Sequence, residues 1–183
     1  MRKLIACIPN FSEGRNPEVI DAISASIESI PDVTLLDVDP GEATNRTVVT
    51  FVGTPEAVMD AAVASIGTAT ELIDMAGHSG EHPRFGATDV CPLVPVSGIS
   101  MEEAAALARS LARRLGEELG LTVYCYEHAA SIPERRNLAE VRQGEYEGLT
   151  DRLQDPAWAP DFGPAEFNSR SGATAVGARE FLV

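Results

Sequence analysis

The amino-acid sequence predicts an α+β fold built on a mixed or antiparallel sheet. Short apolar segments with strand-like alternation are separated by three long segments in which apolar residues recur at helical spacing. Two of the predicted strands, at 33–38 and 46–52, are joined by a turn too short for a helical crossover. A length of 183 residues suits one domain, or two small halves that share a core.

The first half of the chain predicts the order β-α-β-β-α. Its elements are, in order, a strand at 3–8, a polar loop at 10–17, a helix from Pro17 that Asn16 caps and Pro31 ends, a strand at 33–38, a turn at 39–42, a strand at 46–52, and a helix that Thr54 caps. In the last of these strands Thr47, Val49 and Phe51 share one face. This order is most of a ferredoxin-like split β-α-β arrangement, with helices packed on one face of the sheet.

The second half predicts two more strands around a long helix. Pro92 and Pro95 interrupt the apolar segment 90–96, which predicts an edge strand or a bulged strand. Ser100 and Glu103 form a capping box for a helix that Gly120 ends. The remaining predictions are a strand at 121–126, a short helix capped by Asn137, irregular chain from Asp155, and regular structure again at 173–178.

The net charge of −14 argues against nucleic acid and anionic membrane surfaces as partners. The same charge repels anionic metabolites, so an anionic substrate requires local arginines. The candidates lie beside glycine, asparagine or serine rather than on regular helix faces: Arg15, Arg46, Arg84, Arg170 and Arg179.

The sequence also predicts a cytoplasmic protein. No apolar run approaches the ~20 residues of a membrane span, and the N-terminus lacks the apolar core of a signal peptide. Cys7, Cys91 and Cys125 are therefore predicted to be reduced and buried. The apolar ending Phe181-Leu182-Val183 is typical of a strand that continues, which predicts that the chain is part of a longer protein.

A glycine-rich segment, the histidine loop (Asp74–Asp89), is longer than a connection in a compact domain needs to be. It contains His78 and, within Glu81-His82-Pro83-Arg84, His82. An unperturbed imidazole has a pKa of about 6.5 and can move protons near neutral pH. The alternative, a surface or hydrogen-bonded structural histidine, is the commoner role. The i, i+4 spacing of the two histidines suits a metal only on a helix, which the glycines disfavour, so no metal site is predicted.

Several segments together, in this order, resemble the glutamate formiminotransferases, also called glutamate formimidoyltransferases. The resemblance covers nearly the whole chain, and order and spacing make it specific where one tetrapeptide would not. The matching segments are 7–15 (CIPNFSEGR), 44–47 (TNRT), 51–53 (FVG), 80–84 (GEHPR), 89–92 (DVCP), 158–164 (WAPDFGP), 172–173 (GA), 177–179 (GAR) and 181–182 (FL).

This resemblance implies transfer of the formimino group of N-formimino-L-glutamate to N5 of tetrahydrofolate, a late step of histidine degradation. It implies tetrahydrofolate as co-substrate, no metal, and His82 as the general acid/base. The resemblance also implies a folate segment made of Gly163, Pro164, Ala165, Glu166, Phe167, Asn168, Ser169, Arg170, Ser171 and Gly172. A formyl donor in place of the formimino donor stays open.

In this family the transferase module has two similar α/β subdomains with folate between them. The chain resembles the first, so residues 1–183 are predicted to be a single N-terminal subdomain without the second. Two alternatives follow from this organisation. The chain is a folate-binding half-domain that turns over only with a separate second subdomain, or it completes its cleft as a homodimer.

Four further residues are predicted to contact the substrates: Asp39, Asn45, Arg46 and Arg84. Arg46 or Arg84 could bind a substrate carboxylate through two parallel hydrogen bonds. Asp39, at a strand end, could orient His82 or contact the pterin. A structural ion pair or a turn cap is the alternative for each.

Overall fold

The structure, a computed structural model, describes residues 1–181. Leu182 and Val183 lie outside the described residues, so the predicted continuation of a strand at 181–183 stays a prediction. The elements are β1 Leu4–Cys7, β2 Asn10–Phe11, α1 Pro17–Glu28, β3 Val33–Gly41, β4 Arg46–Gly53, α2 Pro55–Leu72, β5 Thr88–Ser97, α3 Met101–Leu119, β6 Thr122–Glu127, α4 Leu138–Val141, α5 Leu149–Arg152 and β7 Ala173–Ala178.

Within the described residues the seven strands form one sheet in the order β3-β4-β1/β2-β5-β7-β6. β1 and β2 follow each other in line between β4 and β5, and every pairing from β3 to β5 is antiparallel. This part has the predicted ferredoxin-like order. β7 then inserts parallel to both β5 and β6. The α+β prediction and the mixed sheet are therefore confirmed.

Local signals placed the helix ends correctly. The Asn16 side chain accepts a hydrogen bond from the Glu18 amide at 3.0 Å at the start of α1. Ser100 and Glu103 form the predicted reciprocal capping box, and Gly120 ends α3 in the left-handed conformation. Thr54 occupies the N-cap position of α2, but its side chain makes no capping bond there.

Three strand predictions need correction. Residues 39–41, predicted as part of a turn, instead continue β3 to Gly41 and pair with β4. Asn10 and Phe11, predicted as loop, form β2, because Phe11 is fully buried and Asn10 pairs with both Val48 and Val90. β5 is an interior strand, not an edge strand. The alternative of a bulge is confirmed by a register shift where β5 pairs with the start of β1.

Pro92 and Pro95 fit inside β5 because each proline nitrogen, which has no N–H to donate, faces a place where the pairing with the neighbouring strand is interrupted. A residue in a strand directs its N–H and C=O to the same neighbour. Pro92 accepts the Ile8 amide at 3.1 Å, so its nitrogen faces the break at Ile8–Pro9 between β1 and β2. Pro95 lies beyond Leu93, where the pairing with β7 ends.

The three long helices cover one face of the sheet and enclose the main core. The predicted inner face of α2 and the predicted face of β4 are buried there: Val58, Ala61, Ala62, Ser65, Ile66, Thr47, Val49 and Phe51. The three cysteines are buried on the same side, as predicted. Burial raises the pKa of the Cys125 thiol to about 12, so it is an inert apolar group.

The prediction that helices pack on one face holds for the three long helices, and the short helices α4 and α5 add to it. Val141 of α4 and Leu149 of α5 pack on the opposite face against Tyr124 and Tyr126 of β6. They cover the β5-β7-β6 half of that face and leave the half formed by β4, β1 and β2 open.

Among the described residues, no helix is long and apolar enough to cross a membrane.

Candidate functional site

The sheet-face cavity, of about 460 Å³, lies where the covered half of the sheet meets the open half. This volume lies within the range of about 300–1,000 Å³ usual for small-molecule sites. Its apolar wall is formed by Ile8, Val48, Val90, Pro92, Val94, Tyr126, Leu138 and Phe181. Its polar lining consists of Asn10, Arg46, His82, Arg142, Arg179 and Glu180.

His82 is half-buried at this cavity, in the histidine loop just before β5. Its Nδ1 lies 2.6 Å from the carbonyl oxygen of Pro83. A carbonyl can only accept, so Nδ1 carries the proton and Nε2 of the neutral ring keeps a lone pair. Pro83 has a restricted backbone and no N–H of its own, which favours this local arrangement. The geometry leaves one ring nitrogen available to accept a proton.

Asp89, at the start of β5, organises the polar side of the cavity. Its carboxylate is fully buried, and Oδ2 accepts hydrogen bonds from Nη1 of both Arg46 and Arg142, the latter at 2.5 Å. Oδ1 accepts the backbone N–H of Phe85 at 2.7 Å. Arg46 also donates through Nε to Asn10 at 3.0 Å. A buried carboxylate requires such partners, because an unpaired buried charge is strongly destabilising.

Asp89 and Arg142 were not predicted as site residues, and Arg179 was only one of five candidates for an anion. A charged residue at the start of an otherwise apolar strand was the available signal for Asp89, because buried acids are rare unless paired. No local pattern identifies Arg142. It follows the four-residue helix α4 and reaches Asp89 from 53 positions away.

Arg84, predicted as a substrate contact, pairs with protein groups and is not among the residues that line the cavity. Its guanidinium lies 2.6 Å from the Glu147 carboxylate and 5.7 Å from the centre of the Tyr146 ring. Nε donates to Nδ1 of His78 at 3.1 Å. This arrangement favours the structural alternative, and a substrate contact by Arg84 stays a prediction.

Asn45 connects two loops. Its side chain accepts the Gly14 amide at 2.9 Å and donates to the Ser79 carbonyl at 3.0 Å. Its backbone has a left-handed φ of 49°, which asparagine tolerates better than most residues. Asp39 is exposed on β3 opposite Val48, so its side chain is on the open face beside the cavity.

His78 is held in its neutral form. Its Nε2 lies 3.0 Å from the Asn45 carbonyl, so Nε2 carries the proton while Nδ1 accepts from Arg84. Burial is the main cause that lowers the pKa of His78; the bond to Asn45 opposes this and the Arg84 cation adds to it. His78 therefore positions the histidine loop and is poorly suited to carry a proton.

We expect this histidine to make the fold acid-sensitive. Below pH ~6.5 the unfolded chain protonates His78, whereas the folded chain resists until its lower pKa is reached. The unfolded state then binds more protons, so stability is complete above this window and falls as pH drops through it. His78→Gln retains a donor for Asn45 but cannot titrate. Urea unfolding at about pH 7 and pH 5 should show a smaller loss in the variant, and an equal loss would contradict this role.

The folate segment lies next to the histidine loop but is not among the residues that line the cavity. The Ala87 amide donates to Ser171 at 2.9 Å, and the Met75 amide donates to Arg170 at 2.9 Å. Both segments therefore meet at the edge of the sheet where the parallel strands β5, β6 and β7 begin. Gly163 and Gly172 take left-handed conformations in which an added Cβ would collide with backbone, so this loop geometry requires glycine.

The folate segment presents a partly exposed aromatic surface and its own hollow. The Phe167 ring lies 5.4 Å from the Tyr146 ring, whose hydroxyl donates to the Ser169 carbonyl at 2.7 Å. A second cavity of about 320 Å³ lies on this segment and is lined by Gly120, Pro164, Glu166, Phe167, Asn168 and Ser169.

Within the described residues, no group of three or more His, Cys, Asp or Glu is placed to hold a metal ion.

Comparison with known proteins gives consistent results. The family model described as "Formiminotransferase domain, N-terminal subdomain" matches residues 4–179. Formimidoyltransferase-cyclodeaminase of Rattus norvegicus is 54% identical over 183 residues, which is all of this chain and 34% of the rat protein. Glutamate formimidoyltransferase of Streptococcus pyogenes serotype M1 is 48% identical over the whole chain and 61% of its own length. That of Thermoplasma acidophilum is 46% identical, over 98% of this chain and 60% of its own length.

Proposed function

The chain belongs to the family of N-terminal subdomains of the formiminotransferase domain, and from this we propose that it carries the acid–base half of a tetrahydrofolate-dependent formiminotransferase. The donor would be N-formimino-L-glutamate and the acceptor N5 of tetrahydrofolate. The names of its bacterial and archaeal relatives support this activity. The chain spans 34% to 61% of the relatives compared above, so the activity of the whole protein is part of the proposal.

One observation carries the proposal. His82, with a lone pair on Nε2, lines the same cavity as Arg46 and Arg142. A proton acceptor and cations suited to a carboxylate therefore share one small site. This is the combination that acyl-like transfer from an acidic amino acid requires. The local arginines also overcome the repulsion of an anionic donor by a chain of net charge −14.

His82 would act first as base and then as acid. As N5 of tetrahydrofolate attacks the amidine carbon, Nε2 of His82 accepts the proton that N5 loses. The new N5–C bond forms before the bond between that carbon and the glutamate nitrogen breaks. The imidazolium then returns its proton from Nε2 to the departing glutamate nitrogen. The products are 5-formiminotetrahydrofolate and glutamate, and no covalent intermediate with the protein is needed.

The folate segment would bind the pterin at the sheet edge next to His82. Its backbone amides offer hydrogen bonds, and Phe167 offers an apolar surface. A second candidate function is a folate-binding half-domain without independent turnover. Two observations favour this second function. The folate segment lies outside the sheet-face cavity, and the chain spans only part of the length of its relatives. In either case a second subdomain or another copy would cover the open sheet face; this and a cytoplasmic location stay predictions.

A transfer assay separates these functions. The purified chain receives formiminoglutamate and tetrahydrofolate, and the folate product is followed by absorbance after acid conversion to the methenyl form. We expect turnover with the chain together with the second subdomain of a relative. Turnover by the chain alone would favour self-association. Turnover only in that mixture, with tetrahydrofolate binding by the chain alone, would favour the half-domain function. No turnover in either mixture would contradict the proposed activity.

A further inference from the structure

The cluster of Asp89, Arg46 and Arg142 is not a balanced ion pair. Two guanidinium cations share a single carboxylate oxygen, so one positive charge in the cluster is uncompensated. The same protein balances another buried acid one to one, since Arg135 pairs with Asp161 at 3.2 Å. A structural role for Asp89 requires only one arginine. The second arginine therefore suggests a further anion.

The cluster has donors directed to no protein acceptor. Within residues 1–181 the Arg46 side chain donates to Asp89 through Nη1 and to Asn10 through Nε, which leaves Nη2 for a ligand. Within the same residues, the Arg142 side chain donates a hydrogen bond only through Nη1, to Asp89. The side chains are only 10% and 17% exposed, so a ligand would meet them with little competing water.

The same carboxylate links this cluster to His82. Asp89 accepts the Phe85 amide through Oδ1 while Oδ2 holds the arginines. Phe85 lies three positions after His82, and both His82 and the arginines line the sheet-face cavity. A ligand bound at the arginines would therefore have a fixed position relative to the histidine loop. Such positioning lowers the entropic cost of a reaction.

We propose that Arg46 and Arg142 form a subsite for one carboxylate of a glutamate unit, with Asp89 as the residue that positions them. The identification of glutamate rests on the proposed function. Planar guanidinium groups suit a carboxylate because they donate paired hydrogen bonds. Two molecules carry such a carboxylate: the acidic amino-acid donor and the glutamate tail of folate. The chemistry of the subsite is the same for both.

Calorimetric titration of the full chain with N-formyl-L-glutamate, an analogue of the donor, tests the subsite without turnover because the acceptor tetrahydrofolate is left out. Arg142→Gln and Arg46→Gln should each weaken binding at least ~10-fold, as expected for loss of a charge-assisted pair. Arg142→Lys keeps the charge but loses the planar fork, so we expect an intermediate affinity. Arg114→Gln is the matched control, because it removes one surface cation from α3 that is not among the residues lining this cavity.

A second arm identifies the carrier. Tetrahydrofolate is compared with tetrahydropteroate, which lacks the glutamate. If Arg142→Gln weakens the binding of N-formyl-L-glutamate only, the donor occupies the subsite. If it weakens the binding of tetrahydrofolate but not that of tetrahydropteroate, the folate tail occupies the subsite. Binding of both probes within twofold of the parent protein, or an equal loss in Arg114→Gln, would overturn the proposal. Because no arm measures transfer, the subsite can stand even if the proposed activity fails.

Should Arg142→Gln unfold the chain, circular dichroism will detect it. Arg46→Gln and Arg142→Lys then provide the test. Arg46 lies at the start of the long strand β4, which the rest of the sheet supports on both sides. Unchanged affinity in a folded Arg46→Gln protein is sufficient to reject the subsite.

Discussion

Replacement of His82 by alanine is expected to lower formimino transfer roughly 10²–10⁴-fold, the range that a general acid–base usually contributes. The physical reason is that His82 is the only imidazole among the described residues that line the sheet-face cavity. His78, the other histidine of the loop, uses both ring nitrogens in bonds to Asn45 and Arg84. The assay compares kcat of the parent and variant chains under the conditions in which the parent turns over.

The fold should survive this substitution. The hydrogen bond of the His82 side chain is to the adjacent Pro83, so its loss breaks only a local contact. We expect the free energy of unfolding to change by about 0.5 kcal/mol or less, as for surface substitutions away from special features. His128→Ala is the matched control, since His128 is exposed and lines a different cavity. Retained transfer in a folded His82→Ala protein would remove His82 from the mechanism.

Replacement of Asp89 by asparagine is expected to destabilise the fold by about 3–5 kcal/mol, the usual cost of removing one partner from a buried ion pair. Asparagine has the same shape and can still accept the Phe85 amide. It removes the negative charge, so Arg46 and Arg142 are left mostly buried without a counter-ion. Urea unfolding monitored by circular dichroism measures the effect.

Asp60→Asn is the control for this measurement. Asp60 pairs with Arg114 at 2.9 Å, but its side chain is 57% exposed, so its loss should cost less than about 1 kcal/mol. A similarly small effect at Asp89 would mean that the arginines are stabilised by solvent or by another anion. N-formyl-L-glutamate should restore part of the lost stability in Asp89→Asn if the two arginines bind a carboxylate.

Several features of the fold follow from residues that are neighbours in the chain. The cap at Asn16, the capping box at Ser100 and Glu103, and the stop at Gly120 are local hydrogen-bonding and backbone effects. Such effects act within about one turn, so a reader of the sequence can recognise them. The alternation along β4 is equally local, because a strand has a period of two.

Other features depended on partners that are distant in sequence. Pro92 suggested an edge strand, yet its nitrogen faces the gap at Ile8–Pro9, and only the assembled sheet creates that gap. Asn10 has a polar side chain typical of a loop, but pairing with β4 and β5 makes it part of a strand. Tertiary context overrode the local preference in both cases.

The sequence by itself determined the α+β class, the order of the main elements, the family and the choice of His82 as the candidate acid–base. These rest on periodicity, capping and ordered motifs, all of which are written along the chain. Only the tertiary structure decided that Arg84 pairs with Glu147, that Asp89 is buried, and that Arg142 joins Arg46 at one carboxylate. Burial and charge pairing are properties of the folded molecule, because residues more than 40 positions apart must first be brought together.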